Sequence, residues 1–304
     1  MTAAAPTLWV LGAIAALLSL ASVLVWRQGD PNGELALRVR SWWLLVGVFG
    51  GALLLNRTAL IALLAFVSFL ALKEYLSVIP TRRADRRVLF WAYGAIPVQY
   101  AFVWFENYGM FIIFVPVYMF LFLPMVMTLV GETQRFLTAI GTLHWGLMLT
   151  VFCLAHLAFL VVLPPNGEGP QLLLYLVVLT QAGDVAQYLW GKRIGRHKVL
   201  PSVSPNKTVE GLLGGVATVT LLSLVLGTLL TPMPWYLALV VGFLLALAGF
   251  VGDVTISAFK RDLGIKDASS LIPGHGGILD RVDSLTYTAP LFFHIIRYVF
   301  YLPT

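Results

Sequence analysis

Long apolar runs recur from one end of the chain to the other, and no other feature limits the fold as strongly. A membrane-spanning helix needs about 20 mostly apolar residues, because it must cross a hydrocarbon core about 30 Å thick. The runs do not alternate between polar and apolar residues, as the strands of a transmembrane barrel do. The sequence therefore predicts an all-α, polytopic transmembrane helical bundle of about ten spans, at 7–26, 42–55, 58–79, 88–105, 109–130, 142–163, 171–190, 211–230, 235–258 and 285–302.

Basic residues are concentrated in alternate connections between these runs. Lysines and arginines are numerous in one set of connections, at 27–41, 80–87, 191–210 and 259–284. The other set holds one cation in total, at 56–57, 106–107, 164–170 and 231–234. Because short cytoplasmic connections are rich in Lys and Arg, we expect the basic set in the cytoplasm and both termini outside. The protein is thus expected in the inner (cytoplasmic) membrane.

Charge and composition also bound the organisation and the partners. The net charge of +6 comes from short connections rather than from a soluble basic face, so nucleic acid is not an expected partner. No linker or low-complexity segment divides the chain, and we expect a single membrane domain over 1–304. Residues 1–170 are mainly scaffold spans, whereas polar groups concentrate in 171–304, the expected catalytic half. The sequence leaves a homodimer open.

The stretch from Gly252 to Ser284 differs from the rest of the chain. It holds five acidic and four basic residues, although only 11% of all residues are charged. Its first part continues an apolar run without proline, which predicts a helix. One face of that helix would carry Asp253, Ser257, Lys260 and Arg261. A solvated loop whose cations only set the topology is the simpler interpretation, but it does not account for the carboxylates.

The second part of this stretch predicts a tight turn followed by another acidic pair. Pro273–Gly277 is too rich in glycine for a helix, and its backbone N–H groups could approach a ligand closely. Asp280, Arg281 and Asp283 follow. Two separated carboxylates facing a common space suit Mg²⁺, which prefers oxygen ligands and keeps waters for substrate phosphates. We therefore predict a metal site held by Asp253 and Asp280, in a polar cavity that faces the cytoplasm.

This combination resembles the signature of the phosphatidate cytidylyltransferases, the CDP-diacylglycerol synthases. The matching elements are Ser257-x-x-Lys260-Arg261-x4-Lys266-Asp267, then Pro273-Gly-His-Gly-Gly, then Asp280-Arg281-x-Asp283. The resemblance implies that the chain converts phosphatidate and CTP to CDP-diacylglycerol and pyrophosphate with Mg²⁺, in phospholipid biosynthesis. It also implies a lipid bilayer around the site.

A polar stripe on the seventh apolar run extends the resemblance. Gln181, Asp184, Gln187 and Tyr188 recur at helical spacing on an otherwise apolar segment. An ionisable residue at that depth is costly, so a functional role is the default hypothesis. The family usually has Asn-Asp here, so that Asp184 matches while Gly183 stands where Asn is usual. That departure removes one polar contact.

A second family element follows, which reads Ser204-Pro205-x-Lys207-Thr208-x-Glu210-Gly211 in this chain. Serine followed by proline is typical of an N-cap and a first helical turn, so we predict that a helix begins at Ser204. Such a helix would present Lys207 and Thr208 beside its positive end, where anions bind.

The implied chemistry assigns roles to these residues. A phosphate monoester has a second pKa of about 6, so phosphatidate is largely a dianion at neutral pH and needs no protein base. The protein must instead hold two charged phosphates in line and neutralise the transition state. We predict a catalytic set of Asp253, Asp280, Lys260, Arg261 and Lys266. Substrate binding is predicted for Asp184, Ser204, Lys207, Thr208, Ser257, Asp267, His275, Arg281 and Asp283.

Polar residues in the first half are expected to be structural. Lys73 and Glu74 end the third run, and we expect them to reach the membrane interface, although the family commonly has a glutamate at a similar place. His144 and His156 lie inside the sixth run, where packing is the expected role.

Two other functions stay open. A related cytidylyltransferase could act on another lipid or polyprenyl phosphate, because an apolar acceptor surface cannot be identified from residue types. A transporter could use Asp184, Asp253 and His156 as an ion or proton relay. Against the transporter, the sequence shows no obvious repeat with paired broken helices, and its polar groups gather at one membrane face.

Overall fold

The computed structural model describes residues 4–27, 33–81, 86–274 and 276–302. Its continuous long helices are α1 (Ala4–Arg27), α2 (Glu34–Leu55), α3 (Arg57–Val78), α4 (Arg86–Trp104), α9 (Gly169–Ile194), α10 (Val209–Leu230), α11 (Trp235–Asp262) and α13 (Leu285–Phe300). In two further rods, meaning pairs of helices that run on from one another, a π-helical segment joins the two members. These rods are α5 (Tyr108–Ile113) with α6 (Phe120–Val130), and α7 (Phe136–Leu147) with α8 (Leu154–Val162). The short elements are β1 (Lys198–Leu200), β2 (Ser204–Thr208) and α12 (Leu279–Val282).

Each of the ten predicted spans coincides with one of these helices or rods. Within the described residues, eight are long and apolar enough to cross a membrane by length and composition. The other two are α4, which has 19 residues and starts with two arginines, and α13, which has 16. The chain is therefore an all-α polytopic membrane protein, and the predicted fold class is confirmed.

Helix α2 begins earlier than the sequence predicted. Residues 34–41 are helical, although they were expected to belong to the connection 27–41. The segment is rich in good helix formers, and Arg38 donates to the carboxylate of Glu34 one turn before it. The cations Arg82 and Arg83 of the next basic connection lie outside the described residues.

Helix α8 lies at the centre of the bundle. Every residue from Leu154 to Val162 is buried, and α3, α4, α9 and α13 pack around it. A helix that is apolar on all sides must be covered on all sides. His156 is part of this core, with its ring about 5 Å from the rings of Phe111 and Phe293. Helix α1 instead exposes large apolar side chains, including Trp9 and Leu17, as contact with lipid requires.

Helices α9 and α10 approach each other closely because α10 places glycines against α9. A Cβ atom at Gly214 would lie 2.4 Å from Cγ of Trp190, and one at Gly215 would lie 2.4 Å from Cγ of Gln187. Small residues allow membrane helices to pack backbone against backbone. Helix α11 packs onto this pair, and α13 packs onto α9 and α11. These four helices position the candidate site, which lies at one end of the bundle.

The predicted helix start at Ser204 is wrong. Residues Ser204–Thr208 form strand β2, which pairs antiparallel with β1. Helix α10 begins at Val209 instead, and the N-cap is Thr208, whose Oγ1 accepts from the N–H of Gly211 at 3.1 Å. The carboxylate of Glu210 accepts the backbone N–H groups of Arg196 and His197, at 2.9 and 3.2 Å. These bonds draw the preceding segment alongside β2, which favours a hairpin over a helical turn.

Candidate active site

A cavity of about 590 Å³ lies where α9 ends, α10 begins and the hairpin crosses α11. This volume is typical of small-molecule sites, which occupy about 300–1,000 Å³. Five residues predicted from the sequence line it, namely Asp184, Ser204, Lys207, Thr208 and Asp253. Two further cations, Lys192 and Lys198, line it as well. The structure thus brings together the polar stripe of α9, the hairpin and the acidic face of α11.

The side chains of Lys207 and Asp253 form the closest charge pair in the cavity wall. Lys207 Nζ lies 2.5 Å from Oδ2 of Asp253 and 4.8 Å above the ring centre of Phe250. The other oxygen of Asp253 accepts from Ser257 Oγ at 3.2 Å. The predicted grouping of Asp253 and Ser257 on one face of a helix is therefore confirmed. The pair orients a cation and a carboxylate toward the same space.

Two more carboxylates, those of Asp184 and Asp283, interact electrostatically with Asp253. Ser284 Oγ donates to Oδ1 of Asp184 at 3.0 Å, and the negative charge of Asp253 acts on Asp184. Asp283 is 8% exposed. Burial, together with the charges of Asp253 and Asp184, raises the pKa of Asp283 well above its usual range. The cluster therefore concentrates negative charge from α9, α11 and the residue that follows α12.

Gly252 allows this concentration. A Cβ atom at position 252 would lie 2.7 Å from the backbone oxygen of Asp283 and 3.1 Å from Cα of Ser284. Only glycine permits α11 to approach the junction of α12 and α13 so closely. Because Asp253 is the next residue, this contact brings its carboxylate within electrostatic reach of Asp283.

Asp280 has a different environment from Asp253. Its Oδ1 accepts from Lys260 Nζ at 2.7 Å, and its Oδ2 accepts from the N–H groups of Ala268 and Gly277, both at 2.9 Å. These bonds tie together α11, the loop that follows it and the start of α12. The contacts of Asp280 are those of a residue that organises the loop. Its role as a metal ligand stays a prediction.

The glycine-rich turn is a loop, as predicted. Gly274 and Gly276 both have positive φ angles, of 74° and 76°, and Gly276 pairs with Ile272 in an isolated bridge. A Cβ atom at Gly276 would lie 2.7 Å from Oδ2 of Asp280. The turn therefore needs glycine both for its backbone conformation and for its approach to Asp280. The predicted residue His275 lies outside the described residues.

The remaining predicted residues are less closely grouped. Arg261 donates from Nε to the backbone oxygen of Val203 and from Nη1 to that of Ile265, at 3.3 and 3.1 Å. Lys266 and Asp267 are exposed. Arg281 is partly buried and acts electrostatically on Asp184, and its buried Nε has no hydrogen-bond partner among the residues that the structure describes. Arg281 therefore belongs to the cluster, whereas the positions of Lys266 and Asp267 leave their roles as predictions.

Sequence reasoning misplaced one acidic residue. Glu74 is 6% exposed instead of lying at the interface, and its carboxylate accepts from Ser269 Oγ and from the N–H groups of Ile278 and Leu279. The available signal was an ionisable residue next to an apolar run, which is costly unless it has partners. The partners come from a loop about 200 residues later, so the sequence alone could not identify them.

The structure explains why glycine can stand at position 183. Gly183 is buried against α10, where a Cβ atom would lie 3.2 Å from Cγ2 of Val219. This distance is tighter than ordinary van der Waals contact. The asparagine that is usual in the family would thus press on Val219, and Asp184 keeps its position without it.

The residues fit Mg²⁺, although no ready-made cage is present. Within the described part of the chain, no group of three or more His, Cys, Asp or Glu side chains is arranged to hold an ion. Magnesium does not need such a cage, because one or two carboxylates, waters and substrate phosphates usually hold it. The mutual repulsion of Asp184, Asp253 and Asp283 would be relieved by a divalent cation. The contacts favour Asp253 with Asp283 or Asp184 over Asp253 with Asp280.

Comparisons with known proteins agree with this site. A protein of Escherichia coli (strain K12), named "Uncharacterized protein YnbB", is 45% identical over 298 residues, which cover 96% of this chain and 98% of that protein. Phosphatidate cytidylyltransferases of Staphylococcus epidermidis and Staphylococcus aureus (strain COL) are each 36% identical over 160 residues. That match covers 51% of this chain and 62% of each staphylococcal enzyme.

The family match extends further than these staphylococcal alignments. The profile of the Cytidylyltransferase family matches residues 36–299, which include every helix except α1 almost completely. This range contains the cavity, the three carboxylates and the glycine-rich turn. The resemblance found in the sequence is therefore confirmed, and the chain belongs to the cytidylyltransferase family.

Proposed function

We propose that this protein transfers a cytidylyl group from CTP to phosphatidate, giving CDP-diacylglycerol and pyrophosphate, with Mg²⁺ as the cofactor. The observation that carries the proposal is the cavity wall, where Lys207 faces Asp253 and Asp184 at the ends of membrane helices. Phosphates need the cations and a divalent metal needs the carboxylates. The staphylococcal relatives, which are named phosphatidate cytidylyltransferases, support the choice of substrates.

The lysines of the cavity are suited to hold the triphosphate. Lys192, Lys198 and Lys207 enter it from α9, β1 and β2, so positive charge reaches the space from separate backbone elements. Lysine acts as a mobile point charge toward phosphate. On this proposal, Lys207 exchanges its contact with Asp253 for a phosphate oxygen, while Lys192 and Lys198 neutralise charge further out.

The reaction itself needs little covalent chemistry from the protein. The phosphate oxygen of phosphatidate attacks the α-phosphorus of CTP, a new P–O bond forms, and the bond to the bridging oxygen of the β-phosphate breaks as pyrophosphate leaves. The attacking group is largely a dianion at neutral pH, because its second pKa is about 6. The chain therefore supplies position and charge rather than a base. When bound, Mg²⁺ supplies positive charge to the phosphate oxygens and so assists pyrophosphate departure.

Asp253 is the residue on which this proposal places the greatest weight. Ser257 fixes one of its oxygens, and Lys207 contacts the other. Asp184 and Asp283 lie close enough to act on it electrostatically. Asp253 would hold the metal with one of these two. Arg281, whose Nε has no partner within the described ranges, would bind a phosphate oxygen. Lys260 would act through Asp280, which it holds in place.

The membrane arrangement follows from the same proposal. The cavity lies at the end of the bundle that carries the basic connection 191–210. Such connections are cytoplasmic in the positive-inside pattern, and CTP is cytoplasmic as well. We therefore place the site at the cytoplasmic face of the inner membrane, where it would meet the head group of phosphatidate.

A related lipid phosphate is the second candidate acceptor. The Escherichia coli protein aligns along almost the whole length of this chain, whereas the two staphylococcal phosphatidate cytidylyltransferases align with only about half of it. The other half of this chain has no aligned counterpart in those enzymes. An acceptor with a different apolar part is therefore compatible with the same cavity chemistry.

One assay separates these candidates. Purified protein in lipid nanodiscs is incubated with Mg²⁺ and CTP labelled at the α-phosphate, together with phosphatidate or with one of several other lipid phosphates. Labelled liponucleotide and an equal amount of pyrophosphate are expected with phosphatidate. If product forms only with a different lipid phosphate, that lipid is the acceptor instead of phosphatidate. If no lipid phosphate gives product, the proposed function is refuted.

A further inference from the structure

Glu74 is a buried carboxylate that the reaction described above does not use. It lies near the end of the scaffold helix α3, and only 6% of its surface is exposed. Its Oε1 accepts from Ser269 Oγ at 2.7 Å and from the N–H of Ile278 at 2.9 Å, and its Oε2 accepts from the N–H of Leu279 at 2.8 Å. All three donors belong to the segment 269–279. Glu74 therefore joins two parts of the chain that are far apart in sequence.

Burial of this carboxylate is tolerated because both oxygens have donors. An unpaired buried carboxylate is very costly, whereas charge-assisted bonds to backbone N–H groups are among the strongest in proteins. An ionised carboxylate can only accept hydrogen bonds, so each loop group that faces it must be a hydrogen-bond donor. Gly277 completes the fit, since a Cβ atom there would lie 2.4 Å from Oε2 of Glu74. The loop is thus shaped to this one side chain.

The hydrogen bonds of Glu74 lie directly next to residues of the candidate active site. Leu279 is the first residue of α12, and Asp280 follows it. Gly277, which lies against Glu74, donates its own N–H to Asp280. The scaffold holds the preceding turn as well, because Ser41 Oγ of α2 donates to the backbone oxygen of Pro273 at 2.8 Å. The loop is therefore anchored on helices outside the expected catalytic half.

We propose that Glu74 is a positioning residue for cytidylyl transfer. Its carboxylate fixes the start of α12 against α3, and this sets where Asp280, Arg281 and Asp283 stand relative to Asp253 on α11. Glu74 acts through these residues and does not touch the substrates. The inference rests on the proposed function for the reaction that is served, but the anchoring of the loop is measurable without it.

The test compares Glu74→Gln with Glu106→Gln in the full-length protein in nanodiscs. Glutamine has the size of glutamate, but its NH₂ group would face a backbone donor. Glu106 is an exposed glutamate that pairs with Arg57, far along the chain from the loop, so it is a matched control. We expect kcat of Glu74→Gln to fall about 100-fold, as for a displacement of about 1 Å at the reacting centre. The control should keep the wild-type kcat.

Two further readouts distinguish positioning from stability alone. The Mg²⁺ concentration for half-maximal rate should rise in Glu74→Gln, because Asp283 would no longer be held beside Asp253. Hydrogen exchange in peptides that cover 277–283 should become about tenfold faster, as expected for the loss of one charge-assisted hydrogen bond. A purely stabilising residue would lower the Tm and leave kcat and the Mg²⁺ dependence of the folded protein unchanged, and that outcome would overturn the proposal.

A second variant keeps the proposal testable if Glu74→Gln folds poorly. Ser269→Ala removes one of the three donors and keeps both backbone bonds, so a smaller change in the same direction is expected. Wild-type exchange and wild-type kcat in both variants would refute the anchor. If the wild-type protein makes no liponucleotide, the proposed function fails, while the exchange comparison still decides whether Glu74 holds the loop.

Discussion

The close approach of α11 to the junction of α12 and α13 offers a direct test of the three-carboxylate arrangement. Gly252→Ala adds one methyl group at that contact and changes no charged residue. If the rate depends on the distance between Asp253 and Asp283, this small change should reduce kcat. If the two carboxylates act independently, the change should have little effect on the chemistry.

The size of the effect follows from the distances at Gly252. A Cβ atom there would lie 2.7 Å from the oxygen of Asp283, whereas ordinary contacts begin at 3.4 Å, so the two backbones must separate by about 0.7 Å, the difference between these distances. Both neighbouring atoms are backbone atoms, and no side-chain rotation can relieve the overlap. Since a misplacement of about 1 Å can cost about 100-fold in rate, we expect a loss of about 10- to 100-fold.

Gly249→Ala is the matched control for this prediction. It lies on the same face of α11, and its Cβ atom would meet Thr288 Cγ2 at 3.6 Å and Ser284 Cβ at 3.8 Å, which are ordinary contacts. Both variants gain about 1 kcal/mol of helix propensity, so the comparison removes that contribution. Labelled CTP turnover and the Tm are measured for both proteins. Equal rates in two folded variants would refute the idea that the spacing of Asp253 and Asp283 matters.

Three further perturbations address the charges of the cavity. Asp253→Asn should lower the rate of labelled CTP turnover about 1,000-fold, because several kcal/mol of metal-ion catalysis are lost and each tenfold in rate corresponds to about 1.4 kcal/mol. The control Asp262→Asn, at an exposed acid of the same helix, should keep the wild-type rate, and near-normal turnover of Asp253→Asn would contradict the assignment. Lys207→Met should raise the KM for CTP about tenfold or more, as loss of a charge-assisted bond predicts, and an unchanged KM would remove Lys207 from the triphosphate site. The apparent affinity for Mg²⁺ should rise with pH beyond the usual titration range of a carboxyl group, because the raised pKa of Asp283 makes protons compete with the ion below that pKa. Titrations at several pH values that give one constant would show that Asp283 is not coupled to the metal.

Hydropathy was sufficient to predict the spans, because a bilayer imposes both a minimum length and apolar side chains on each helix. All ten predicted segments are helical. The boundaries were less predictable, since local interactions extend helices beyond the apolar run. Helix α2 illustrates this, because the pair of Glu34 and Arg38 supports a helical turn that hydropathy assigns to a connection.

The site could be predicted only in part, for a physical reason. Residues on one helix, such as Asp253 and Ser257, were grouped correctly because helical spacing alone brings them together. The hairpin at Ser204 was missed because its stability depends on bonds from Glu210 to the preceding segment. The anchor formed by Glu74 was missed because its donors lie 195 to 205 positions away. Sequence spacing gives no information about such contacts.

The distribution of partners within the cluster explains which groups the reaction should engage. Lys260 is paired with Asp280, whose other oxygen is bound by two backbone N–H groups, so this set is internally satisfied. Asp184 and Asp283 each accept from one neighbouring serine group and still repel Asp253, and Arg281 keeps a buried Nε without a partner in the part of the chain described. Buried polar groups without partners are rare in folded proteins, and each requires a cause. The mutually repelling acids suit a divalent metal and the adjacent cation suits a phosphate, and the proposed substrates would carry both into the same cavity.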